Sequence, residues 1–263
     1  MTKKTSLLSK VYLALALFFT IAGTVVRFNL MQSYDVANGF YTNDTLHKVF
    51  AYTLAAIVIL LAAVSYIYIK EEKCSKLPKE GVLVKGASLL SGCALGGFIV
   101  YVFAKAVIPS LGGIDGFDIA TLAFCAVAML YYFTLDKKAP FRSLLCAASA
   151  IVLLTFILAL YFDRGVSFVN HSVMLCFAAA IFSALTFTAE ANFPLGRAAY
   201  HRYIAYAPSA IILSFAISIP DIVFCIEHRL APLTDIYYDV ILLVFGLYHL
   251  ARLAEIAFYK EEK

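Results

Sequence analysis

The sequence predicts an all-α polytopic membrane bundle of about eight transmembrane helices, forming one transmembrane domain over residues 1–263. Three observations carry this. The chain is 63% hydrophobic and only 14% charged, with a mean hydropathy of +0.87, and a soluble domain of this length cannot keep that much apolar surface out of water. The apolar residues fall in eight stretches of roughly 16 to 21 residues, enough to cross about 30 Å of hydrocarbon at 1.5 Å per residue. Lys and Arg crowd into every second gap between them.

The first stretch, Val11–Val26, follows MTKKTSLLSK. Such a start resembles a secretory leader, but no small-x-small cleavage site follows, and an uncleaved first helix is expected. The others are Val49–Ile69, Gly86–Ala104, Ile119–Leu135, Ser143–Phe162, Ser172–Ala189, Tyr203–Ile219 and Val240–Phe258. All are expected to be helices despite their Val and Ile content, because backbone groups facing lipid must be satisfied within their own segment. Arg27, Lys48, Lys105, Arg164 and Arg229 occupy one set of gaps, and the other 16 of the 21 basic residues occupy the alternate set. Basic loops stay in the cytoplasm, so both termini are placed there, in the cell membrane. The formal charge of +4 belongs to these loops and gives no sign of nucleic-acid binding. The loops are too short to bury a core of their own, so the lipid bilayer is the first partner and any function must use the bundle or its loop surfaces.

Several classes of chemistry lack their signature. The six cysteines are scattered singly, without metal-ligand spacing, and read as small packing residues. No metal or cofactor is expected. There is no H-E-x-x-H, no G-x-S-x-G and no P-loop. Asp115-Gly116 opens like an alcohol-phosphatidyltransferase motif, but the rest of that motif is absent. Trp is absent too, and tyrosines such as Tyr131, Tyr132, Tyr161 and Tyr238 are expected to anchor the membrane interfaces.

Packing signals are concentrated in the third and seventh stretches. Gly92 and Gly96 make a G-x-x-x-G step, which lets helix backbones approach closely, within the chain or in a homo-oligomer or with a partner subunit. Pro208 and Pro220 are expected to kink or break the seventh helix.

Ionisable residues deep in the membrane are the functional candidates, because they face an interior or a cavity rather than lipid. His249, Arg252 and Glu255 recur at steps of three and share one arc of the last helix. Asp221 follows Pro220 near the outer end of the seventh, within reach of Lys105. These four are the candidate substrate- or ion-binding residues. Asp35 and Tyr41 in the first outer loop, with His171 at the outer end of the sixth helix, are candidates for an outer gate. Asn38-Gly39 reads as a turn between them.

Asp35 followed by Gly39, Phe40 and Tyr41 resembles a loop of uncharacterised polytopic membrane proteins of low-GC Gram-positive bacteria. That resemblance implies a bacterial inner-membrane setting and no particular activity. Three functions stay open. The leading one is a small-solute or ion transporter, or permease-like subunit. The second is a non-catalytic membrane scaffold or sensor. The third is a lipid-modifying enzyme using His249 with an acid.

Overall fold

The computed structural model describes residues 3–35, 40–41, 44–68, 73–74, 80–108, 114–134, 141–162, 171–195, 198–228 and 233–258. Eight helices account for nearly all of them: α1 (Lys3–Met31), α2 (Asp44–Tyr68), α3 (Val82–Val107), α4 (Gly116–Phe133), α5 (Phe141–Phe162), α6 (His171–Ala191), α7 (Tyr200–His228) and α8 (Leu233–Phe258). All eight are long and apolar enough to cross a membrane. Two antiparallel pairings of two residues each join loops. β1 (Tyr34–Asp35) pairs with β2 (Phe40–Tyr41), and β3 (Lys73–Cys74) with β4 (Ala198–Ala199). The β1–β2 pairing brackets the expected Asn38-Gly39 turn, which lies outside the described residues.

The observed helices are longer than the apolar runs that announce them. α1 starts eight residues before Val11, and α8 starts at Leu233, seven residues before Val240. Hydropathy marks the part of a helix that sits in hydrocarbon, whereas the helix itself continues through the headgroup layer. Helix α4 shows how a start is fixed. The Asp115 side chain accepts from the Asp118 backbone N–H at 2.7 Å, and Asp118 returns a bond to the Asp115 N–H at 3.2 Å. This capping box satisfies two otherwise orphaned donors and accounts for Asp115 structurally.

Helices α3 to α8 close a ring in chain order, with α3 packed on both α4 and α8. Helices α1 and α2 lie outside the ring against α7. Lys10 of α1 sits over the Phe258 ring of α8 at 5.6 Å, so the start of α1 and the end of α8 share one end of the bundle. That end is called proximal below, and the other distal. Between them, α1 and α2 leave an apolar groove of about 410 Å³ lined by residues such as Leu8, Leu15, Ile57 and Val64.

The ring is filled by aromatic side chains. Tyr101 stacks on Tyr237 at 4.5 Å near the distal end, and Phe156 on Tyr238 at 4.3 Å follows. Phe187 meets Phe245 at 5.0 Å, and Tyr131 meets Tyr132 at 5.2 Å towards the proximal end. Tyr131, Tyr132 and Tyr238 are therefore buried in the core, not interfacial anchors as expected from composition. Tyr161 is exposed, as an anchor should be.

Glycine sets the closest helix approaches. A Cβ on Gly246 of α8 would lie 2.8 Å from the Ser214 Cβ of α7, and one on Gly23 of α1 would lie 3.1 Å from Ala216. Gly92 packs on the Phe133 ring of α4 and Gly96 on Met129, so the G-x-x-x-G step is used inside the chain. Helix α7 runs unbroken from Tyr200 to His228 with both prolines inside it. The expected break does not occur: α7 is flanked by α1, α2, α6 and α8, which pack along it.

Candidate functional site

At the proximal end, five charged side chains from the α3 start and from α5, α6 and α8 converge. Arg252 is the hub. Its Nε lies 3.2 Å from Glu190 Oε1, its Nη1 3.2 Å from Glu255 Oε2, and its Nη2 3.7 Å from Glu80 Oε1. Arg142, from the first turn of α5, makes a tight ion pair with the same Glu80 oxygen, and its guanidinium sits 5.3 Å over the Tyr131 ring. The Gly81 N–H, just before α3, donates to Glu255 Oε1. Each group is positioned by a helix terminus. Glu190 is the penultimate residue of α6, Glu80 lies two residues ahead of α3, and Arg252 lies six residues, roughly 9 Å, from the end of α8.

Hydroxyl groups complete the first layer. Tyr248 donates to Glu190 Oε1 at 2.6 Å and Tyr131 reaches the same oxygen at 3.0 Å, with the two phenols 2.9 Å apart. Glu190 Oε1 thus accepts two hydroxyls beside the Arg252 guanidinium. Its residue is 1% exposed. Yet among the described residues Glu190 Oε2 has no partner, and neither has Glu80 Oε2. Buried polar atoms without partners are uncommon, because each one forfeits its hydration.

Of the expected residues, Arg252 and Glu255 are brought together here. Arg252 is buried among three carboxylates. His249 is fully buried one turn deeper but turns aside from the acids. Its Nδ1 lies 3.5 Å from the Tyr203 hydroxyl, and its ring packs on Phe187 at 4.4 Å. Asp221 belongs to the opposite end. It pairs with Arg27 of α1 through contacts of 2.7, 3.0 and 3.2 Å, not with Lys105. Lys105 instead pairs with Asp118 of α4 at 2.5 Å. Both replacements follow from packing, since α1 lies on α7 whereas α3 lies on α4.

Asp221 also stands near Cys176 and Asp239, all with ligand atoms within 4.8 Å of one another. The spacing alone suits a cation, but Arg27 already supplies the positive charge. Asp35 and Tyr41 take part in the β1–β2 backbone pairing, and His171 begins α6. Their side chains lie outside the described residues.

Glu80, Glu190, Tyr131 and Tyr248 are the residues that a hydropathy reading does not find. Glu190 falls one residue beyond the apolar run that ends at Ala189, and Glu80 sits in KLPKEGV among loop charges. Both lie in gaps shared with basic residues, as do Glu71, Glu72, Asp136, Glu261 and Glu262, so nothing in the sequence singles them out. No protein-family description, curated protein or solved structure matches this chain.

Proposed function

We propose that the protein is a small-solute or ion transporter, or permease-like subunit, of the bacterial cell membrane, with both termini in the cytoplasm. The proximal cluster is then its interior polar site, at the cytoplasmic side. One observation carries the reading: five charged side chains gathered in a membrane-spanning bundle, with two buried carboxylate oxygens lacking partners. Ionisable groups within a bilayer are costly and mark ion or substrate pathways. The orientation rests on the 16 to 5 division of basic residues.

The experiment is flux. Proteoliposomes carrying the full chain are loaded with dyes reporting pH and alkali cations, and a gradient is imposed. The wild type is expected to dissipate at least one gradient and Arg252→Ala to lose that flux. A wild type that passes none of a broad panel of ions and small solutes ends the proposal.

A second reading, a membrane scaffold or sensor, has its own support. Two of the deep charges already have ionic partners, Asp221 in Arg27 and Arg252 in three carboxylates. A bundle locked in this way without flux would favour it. The enzyme reading is weaker, since among the described residues His249 is bonded to a tyrosine and to no acid.

A further inference from the structure

The proximal cluster does not balance its charge. Among the described residues it holds three carboxylates, Glu80, Glu190 and Glu255, against two guanidiniums, Arg142 and Arg252. With every group ionised, the excess is one negative charge. Burying an uncompensated charge is among the costliest arrangements a bundle can contain.

The excess is localised. Glu255 spends its two oxygens on Arg252 and the Gly81 N–H. Glu190 and Glu80 each spend one oxygen and keep Oε2 buried and unpartnered. Both carboxylates bracket the same Arg252 guanidinium. Their side chains are 1% and 8% exposed, so bulk water does not compensate them. We infer that Glu190 and Glu80 form a binding site for one monovalent cation, an alkali ion or a proton, held at their Oε2 atoms at the proximal end of the bundle.

Charge decides the class of ligand. One positive charge brings the cluster to neutrality. A divalent ion would leave it at +1, again an uncompensated buried charge. An anion would take it to −2. The unpartnered Arg142 Nε does not offset that, because its guanidinium is already paired with Glu80. Tyr131 and Tyr248 fix the position of Glu190 by engaging only Oε1, which leaves Oε2 without a partner among the described residues. Other titratable groups stand nearby among the described residues: His249, whose Nδ1 lies 3.5 Å from the Tyr203 hydroxyl while its Nε2 is unpartnered, and the buried Cys146 thiol, which meets the Phe187 carbonyl oxygen. The inference deepens the transport reading and, as a statement about transported cargo, rests on it.

The test uses the purified full chain and reads its melting temperature. Ionic strength and pH are held constant while choline is replaced by Na+, and separately by K+. If the ion is an alkali cation, the wild-type melting temperature rises saturably, by roughly 5 °C at a hundredfold excess over the dissociation constant. If it is a proton, alkali ions do nothing and the wild type loses stability as pH rises. In either case Glu190→Gln removes the dependence, while Lys105→Gln at the distal end keeps it. Should Glu190→Gln fail to fold, Glu80→Gln removes the same excess charge from another element and must also abolish the response. A general loss of packing would lower the melting temperature without changing its dependence on ion or pH. Variants that respond as the wild type does overturn the inference. A dependence removed by Glu190→Gln in a protein without flux keeps the site and sinks transport. Flux that ignores Glu190→Gln and Glu80→Gln does the reverse.

Discussion

The two ends of the bundle handle charge differently. At the distal end, Arg27 meets Asp221 through a two-toothed contact, with Asp239 close by, and Lys105 meets Asp118. Each pair is neutral and joins two helices. At the proximal end, Arg252 alone touches three carboxylates from three different parts of the chain, and two tyrosines crowd one of them. A neutral pair is explained once its helices are held together. A network with surplus charge and open acceptors is not explained by packing, because apolar residues of similar size would pack as well or better. The contrast puts structure at one end and the candidate site at the other.

The largest expected effect comes from breaking the proximal hub. Arg252→Ala leaves Glu80, Glu190 and Glu255 buried against Arg142 alone; it should cost about 3–5 kcal/mol in reversible unfolding in detergent. Arg27→Ala at the distal end should cost less, about 1–3 kcal/mol, because Asp221 is 18% exposed and can recover water. Equal losses would erase the distinction between the ends. The paired replacements sharpen it further. Arg27→Met with Asp221→Leu should be close to neutral in stability, whereas Arg252→Met with Glu190→Leu should abolish cation response even if it is equally stable.

Smaller changes probe the supports. Gly246→Ala should cost about 1–3 kcal/mol by overpacking, since the new methyl meets the Ser214 Cβ, which is fixed to the α7 backbone. Gly92→Ala meets only the Phe133 ring, which is exposed and free to rotate away, so thermal melts should place it well below Gly246→Ala. Tyr248→Phe removes one hydroxyl from Glu190 and should cost the least among the site variants, about 0.6–1.7 kcal/mol, the range of hydrogen bonds inside membrane bundles.

Hydropathy made the eight helices legible, because lipid leaves the backbone one local solution. The arc of Arg252 and Glu255 was legible as well, since steps of three keep residues on one side of a helix and deep charge must turn inward. Their partners were not. Glu80 and Glu190 lie at helix ends where acids are ordinary, and only the ring closure of α3 onto α8 brings them to Arg252. The pairing of Asp221 failed for the same reason. Depth matched it to Lys105, but lateral neighbours are set by helix packing, which α1 won through the close approach of Gly23 to Ala216. Tyr131 and Tyr248 resembled anchors or core by composition, and nothing in their spacing marks a hydroxyl aimed at an acid.

Helix α7 has a mechanical consequence that follows from its two prolines. Pro208 and Pro220 have no N–H, so the carbonyls of Ile204 and Ala216, four residues earlier, lose their usual rung. The ladder of the most heavily flanked helix is thus weakened at two levels, one turn past Tyr203 and just before Asp221. Bending at the lower level would swing Tyr203 against His249, and bending at the upper would pull Asp221 along Arg27. A rod with every rung intact would brace the two charge layers evenly; this one lacks a rung beside each of them.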